Sequence, residues 1–96
     1  MNYDVIFSRE AEQTLGKIKE QINSRWGKHQ VIKFEKRVEE VINLIAQSPF
    51  VYKSTSHFPN VHKGFVHRNC SIFYKIDDTI VTVLFFIDNR QDPIFS

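Results

Sequence analysis

The sequence has little of what small proteins use as covalent or metal-based reinforcement. Among its 96 residues Cys70 is the only cysteine, so the chain cannot close an internal disulfide. Its four histidines show no zinc-like spacing, and we expect neither a metal site nor a cofactor. Hydrophobic residues make up 42% of the chain, which is enough to build a core from side chains alone. We therefore expect a single domain spanning residues 1–96.

Long apolar runs are also missing. The longest run, Val83 to Ile87, suits a buried strand and falls far short of the roughly 20 residues that span a bilayer. A lone cysteine and the absence of a signal peptide favour a reducing compartment. The expectation is a cytoplasmic protein with no membrane association.

Acidic residues are absent from the middle of the chain. No Asp or Glu occurs between Val41 and Ile76, although the net charge of the whole chain is only +2. The basic residues in this interval are Lys53, Lys63, Arg68 and Lys75. The interval predicts a locally positive surface able to attract phosphate or an acidic peptide. The alternative is an ordinary solvated strand face.

The first half of the chain shows helical periodicity. A short strand over Asn2–Phe7 precedes Ser8, a good N-cap, and a first helix that ends at Trp26–Gly27. A second helix is predicted from about Lys28 to Ala46, ended by Ser48–Pro49. The apolar stripe of the first helix comprises Ala11, Leu15, Ile18 and Ile22, and that of the second Val31, Phe34, Val38, Val41, Ile42 and Ile45. Because the connection is short, we expect an antiparallel helical hairpin.

The second half of the chain is predicted to form strands. They cover Phe50–Ser54 (weakly), Val61–Arg68, Cys70–Ile76 and Thr79–Ile87, with a hairpin turn at Asp77–Asp78. The last strand is apolar at nearly every position, which predicts a central strand covered on both faces. The resulting α+β order is β-α-α-β-β-β, with the helical hairpin packed on a twisted, mostly antiparallel sheet.

Two kinds of catalytic candidate emerge from the residues. Cys70 alternates with Ile72, so a buried hydrophobe is favoured over a nucleophile, and on a regular strand His62 and His67 would face opposite ways. Arg68 and Arg90 follow two strands, and their guanidinium groups could bind phosphate. The alternative for Arg90 is a structural pairing with an aspartate, and the two side chains available for it are Asp88 and Asp92.

Several segments together resemble a known family. They are the opening Tyr3–Ser8 followed by Glu10–Ala11, the Phe34–Ile45 helix ended by Ser48–Pro49, the Ser71–Ile76 strand, and the ending Asp88–Pro93. Over its full length the chain resembles RelE/ParE-superfamily toxins of type II toxin–antitoxin systems. The resemblance implies the fold described above and a neutralising acidic antitoxin, joined to the toxin in a hetero-oligomer.

The resemblance implies two alternative activities. ParE-like members poison DNA gyrase, whereas RelE-like members cut messenger RNA on the ribosome. Ser71 stands where RelE-like members usually place an arginine, which favours the ParE-like alternative. If the chain is an enzyme, it is an endoribonuclease with Arg90 and Arg68 as catalytic residues. The expected binding residues are Lys53, Lys63, Arg68, Lys75, Asn89 and Arg90. A third hypothesis is a non-toxic binding module that retains the fold.

Overall fold

Two helices pack on a four-stranded sheet in the computed structural model, which describes residues 2–88. The elements are β1 (Asp4–Phe7), α1 (Arg9–Trp26), α2 (Lys28–Gln47), β2 (Val61–His67), β3 (Cys70–Asp77) and β4 (Ile80–Asp88). The strands lie in the order β1-β4-β3-β2, and only the β1–β4 pair within this sheet is parallel. The predicted α+β architecture and element order are confirmed.

The N-terminus of α1 is fixed to β4 by two hydroxyl side chains. Ser8 caps the helix by accepting the Ala11 N–H at 3.0 Å, and its own hydroxyl donates to the Leu84 carbonyl at 2.8 Å. Further along α1, the Thr14 hydroxyl oxygen accepts the Phe86 N–H at 2.9 Å. These contacts satisfy backbone groups of β4 where its pairing with β3 is interrupted between Phe73 and Tyr74.

The core lies between the helices and one face of the sheet. Both predicted helical stripes point into it, with Ala11, Ile18, Ile22, Val38, Val41 and Ile45 buried. The sheet contributes Val66, Cys70, Ile72, Tyr74, Val81, Val83 and Phe86. Cys70 is buried, as its alternation with Ile72 predicted.

Three predicted details of the strands are wrong. Phe50–Ser54 forms no strand, and Ser54 makes only an isolated bridge to His62. The tight turn lies one residue later than predicted, because Asp77 pairs with Ile80 and Asp78 takes the left-handed backbone with φ of 57°. β4 is not covered on both faces, since its burial alternates and Ile80 and Ile87 are exposed.

β2 contains an irregularity that changes where one histidine lies. Phe65 pairs with Ser71 and His67 pairs with Cys70, so Val66 is an additional residue on this strand. His67 therefore lies on the same side of the sheet as the buried Cys70, and the prediction that His62 and His67 face opposite ways is wrong. A bulge of this kind leaves no mark in a sequence pattern.

Gly64 is a point of close approach between the segment that follows α2 and β2. A Cβ atom built on Gly64 would lie 2.7 Å from Cδ2 of Tyr52 and 3.1 Å from Cγ2 of Ile72. The Tyr52 ring thus packs directly on the backbone of β2.

Gly27 connects the two helices in a conformation reserved for glycine. Its φ of 89° and ψ of 177° lie in a region that residues other than glycine essentially do not adopt. Its amide still donates to the Asn23 carbonyl at 3.0 Å. Gly16, within α1, is exposed and a Cβ there would meet nothing within 4 Å.

These two glycines give a matched pair of variants. Gly27→Ala should lower the free energy of unfolding by about 1–3 kcal/mol, because alanine cannot adopt this backbone without strain. Gly16→Ala should raise it by about 0.5–1 kcal/mol, because alanine loses less backbone entropy in a helix. Urea unfolding measures both, and a Gly27→Ala protein as stable as the wild type would contradict the strained connection.

Tyr74 ties the segment after α2 to the centre of the sheet. Its hydroxyl donates to the Pro49 carbonyl at 2.7 Å, and its ring stacks on His62 at a centroid distance of 5.3 Å. His62 Nδ1 lies 2.8 Å from the Tyr52 carbonyl, which can only accept, so that nitrogen carries the proton. Burial raises the pKa of Tyr74 from 10.0 to about 12, with a smaller contribution from Tyr52.

The raised pKa predicts a loss of stability at high pH. The neutral phenol stabilises the folded state fully below pH 10.0, and this contribution disappears as pH rises through about 12. Tyr74→Phe should cost roughly 1–3 kcal/mol at neutral pH, because the Pro49 carbonyl loses its donor. As pH rises from 10.0 through about 12, the free energy of unfolding of the variant should fall less than that of the wild type. Urea unfolding across the range tests this, and equal losses in the two proteins would count against it.

Candidate interaction surface

The face of the sheet turned away from the helices carries aromatic and basic side chains. Strand alternation places them there, because Lys63 pairs with Phe73 and Phe73 with Phe85, out of phase with the buried residues. We call this surface the aromatic–lysine face and define it by Lys63, Phe65, Phe73, Lys75 and Phe85.

The aromatic–lysine face is partly ordered by its own contacts. The Phe73 and Phe85 rings stack at a centroid distance of 4.7 Å with an interplanar angle of 25°. Lys63 Nζ lies 5.6 Å from the Phe65 ring centroid and 5.8 Å from that of Phe73, within cation–π range. Phe65 nevertheless remains 47% exposed.

Exposed isoleucines extend this apolar surface across the sheet. Ile6 is 52% exposed on β1, and Ile80 and Ile87 are exposed on β4. Apolar side chains this numerous on one sheet face are typical of an interaction surface, since scattered single residues are the usual pattern on a monomer. The simple alternative of a solvated polar strand face does not describe it.

Three of the predicted binding residues lie near one another at one end of the β2–β3 pair. The Lys63 amide donates to the Lys53 carbonyl at 3.3 Å, and Lys63 and Lys75 occupy diagonal positions on the same face. Lys75 Nζ also lies 3.6 Å from an Asp77 carboxylate oxygen, in an exposed ion pair. Three of the four basic residues of the acid-free interval therefore lie at this end, next to Asp77.

Arg68 lies apart from these lysines. It is exposed in the β2–β3 turn, at the end of the sheet where β4 finishes and Asp88 pairs with Cys70. Asn89 and Arg90 lie outside the described residues. A meeting of Arg68 and Arg90 around a phosphate stays a prediction.

Ser71 occupies a closed position on the outer side of the sheet. It is only 2% exposed, its ladder partners are Phe65 and Ile87, and its hydroxyl has no hydrogen-bond partner. The Ser71 side chain is thus a small uncharged group with apolar cross-strand neighbours. It supplies no cation to a phosphate.

The described part of the chain holds neither a group of metal-ligating side chains nor a helix that could span a membrane. Within residues 2–88 no three His, Cys, Asp or Glu side chains are grouped as metal ligands. Neither of the helices described is long and apolar enough to cross a bilayer.

Comparison with known proteins identifies the family. The model of the ParE toxin of the type II toxin–antitoxin system parDE matches residues 5–93. The chain belongs to the ParE toxin family. It is accordingly a toxin of a type II toxin–antitoxin system, as the resemblance in the sequence predicted. A comparison with individual curated proteins finds no match.

Solved structures share the fold of this ParE-family toxin. The chromosomal ParDE system of P. aeruginosa aligns with a TM-score of 0.77 and 16% identity, covering 90% of this chain and 95% of that one. The RelBE2 toxin–antitoxin complex of Mycobacterium tuberculosis gives 0.63 and 21%, covering 92% and 99%. The YoeB dimer of Staphylococcus aureus gives 0.63 and 13%, covering 91% and 97%. At these identities the likeness establishes the fold alone.

The aromatic part of the surface was not predicted from the sequence of this ParE-family toxin. The last strand was predicted to be covered on both faces, which left no outward-facing aromatic side chain on β4. The sequence does contain a usable sign, because two helices can cover only one side of a sheet. An apolar strand under such a hairpin must expose alternate side chains, here Phe85 and Ile87.

Proposed function

We propose that this ParE-family toxin inhibits growth by binding DNA gyrase and is neutralised by a cognate acidic antitoxin. The family supports the gyrase target, because poisoning of gyrase is what the ParE-like resemblance implies. The observation that carries the choice between targets is Ser71, a buried uncharged group where RNA-cleaving relatives usually place an arginine. Stabilising the charge that develops on a scissile phosphate normally requires several cationic groups.

The alternative is a RelE-like, ribosome-dependent endoribonuclease that uses Arg90 and Arg68. One observation favours it: the exposed Phe65 ring beside Lys63 can stack on a base of single-stranded RNA. Against it, Phe73 and Phe85 already stack on each other, and Lys63 lies over two of the rings. These contacts cover ring faces on which RNA bases would otherwise stack.

An acidic, partly apolar antitoxin segment fits the aromatic–lysine face. Lys63 and Lys75 supply positive charge, and the exposed part of Phe65 supplies apolar area. Covering both would combine charge attraction with removal of apolar surface from water. The RelBE2 toxin–antitoxin complex contains a chain of this fold, which supports a toxin–antitoxin hetero-oligomer here.

Supercoiling by purified gyrase tests the target. Micromolar toxin should inhibit it, and antitoxin added in excess should restore it. Unchanged supercoiling, together with codon-linked cuts in translated messages detected by primer extension, would establish the endoribonuclease instead. In that case Arg90→Ala should abolish cleavage. Absence of both effects, with normal growth on expression without antitoxin, would favour the binding module.

Antitoxin affinity tests the predicted surface. Lys63→Glu should weaken binding of the antitoxin encoded beside the toxin gene by at least about tenfold. The new carboxylate would lie against the acidic antitoxin segment and repel it. Lys17→Glu makes the same change of charge at an exposed position of α1 and should have little effect. Calorimetric titration measures both, and indistinguishable affinities would remove the aromatic–lysine face from the antitoxin interface.

A further inference from the structure

A cleft of about 480 Å³ opens between the corner of the helical hairpin and the β2–β3 turn. Most of its lining residues lie on α1 and α2, outside the acid-free interval between Val41 and Ile76. Only the lining residues at the β2–β3 turn belong to that interval. The lining residues used below are Trp26, Lys33, Phe34, Arg37, His67 and Cys70.

One side of the cleft is apolar. Phe34 packs against the core, and the neighbouring Cys70 is buried. Trp26 is 51% exposed and is the only tryptophan of the chain. A large aromatic side chain left this exposed beside an apolar wall is a frequent anchor point in protein interfaces.

The other side of the cleft is cationic. Lys33 and Arg37 are one helical turn apart on α2 and so project from the same side of the helix. Arg37 is held against β2, because its Nε donates to the Val66 carbonyl at 2.8 Å. That contact exists because the bulge of β2 brings Val66 and His67 towards the helices.

The local charge is unbalanced. Residues 21–34 contain no Asp or Glu, and the cleft joins this stretch to the acid-free interval in the middle of the chain. Within the described part of the chain, none of the lining residues is acidic. Two carboxylates flank the cleft: Glu40, which pairs with Arg37 at 3.5 Å, and Asp88, whose backbone pairs with Cys70.

We propose that this cleft is a docking site for an acidic segment of the antitoxin. One aliphatic or aromatic side chain of that segment inserts between Trp26 and Phe34, and a neighbouring carboxylate binds Lys33 and Arg37. This inference rests on the proposed neutralisation by an antitoxin and names a second place where the antitoxin binds. A simple anion would engage the cations and leave the apolar wall unused, so the combination points to a peptide.

The location also gives Arg68 a role. The cleft and the aromatic–lysine face lie on opposite sides of the sheet, and the exposed β2–β3 turn that carries Arg68 lies beside the cleft. An acidic segment that reaches both surfaces around this end of the sheet passes Arg68.

A pair of variants on α2 tests the docking site. Lys33→Glu reverses a charge that lines the cleft, and Lys36→Glu makes the same change on the same helix at an exposed position outside the lining. With the antitoxin encoded beside the toxin gene, Lys33→Glu should raise the Kd at least about tenfold and Lys36→Glu less than about twofold. Arg37 is left intact because it supports β2. In isotopically labelled wild-type toxin, the Trp26 indole signal should shift on binding.

The outcomes separate this inference from the proposed function. If the antitoxin does not bind the wild-type toxin, the proposed neutralisation fails. If it binds the wild type but Lys33→Glu and Lys36→Glu have equal affinities, the docking site is wrong. A Trp26 signal that does not move at saturation overturns it equally.

Discussion

Two helices can cover only one face of a four-stranded sheet, and the character of this molecule follows from that constraint. α1 and α2 bury Ile72, Val81 and Val83 on the inner face. β4 carries apolar side chains on both of its faces. Those that do not point towards the helices, including Phe85, therefore face outward. Outward-facing aromatic area of this kind is typical of an interaction surface, and the proposed antitoxin would cover it.

The connection between the helices and the sheet also depends on β4. The Ser8 and Thr14 hydroxyl groups form hydrogen bonds with backbone groups of Leu84 and Phe86, where regular pairing with β3 is interrupted. The irregularities in β4 and β2 have a common effect, since each brings a strand into direct contact with a helix. In β2 this contact helps to form the cleft beside Trp26.

Much of this architecture could be predicted from periodicity. The stripes from Ala11 to Ile22 and from Val31 to Ile45 indicated the helices, and Ser8 indicated where the first one begins. The bulge at Val66 could not be predicted, because one additional residue changes the facing of His67 without changing composition. The cleft was missed for a related reason: residues 21–34 and the β2–β3 turn meet only through tertiary packing. Ser71 was identified by position alone, and only the structure shows that it is buried.

If the proposed function is correct, the antitoxin covers the aromatic–lysine face. A crystal structure of the toxin bound to the antitoxin encoded beside it tests this most directly. We expect antitoxin side chains in van der Waals contact with Phe65 and Phe73, and a carboxylate within ion-pair distance of Lys63. A complex in which both rings remain open to solvent would contradict it.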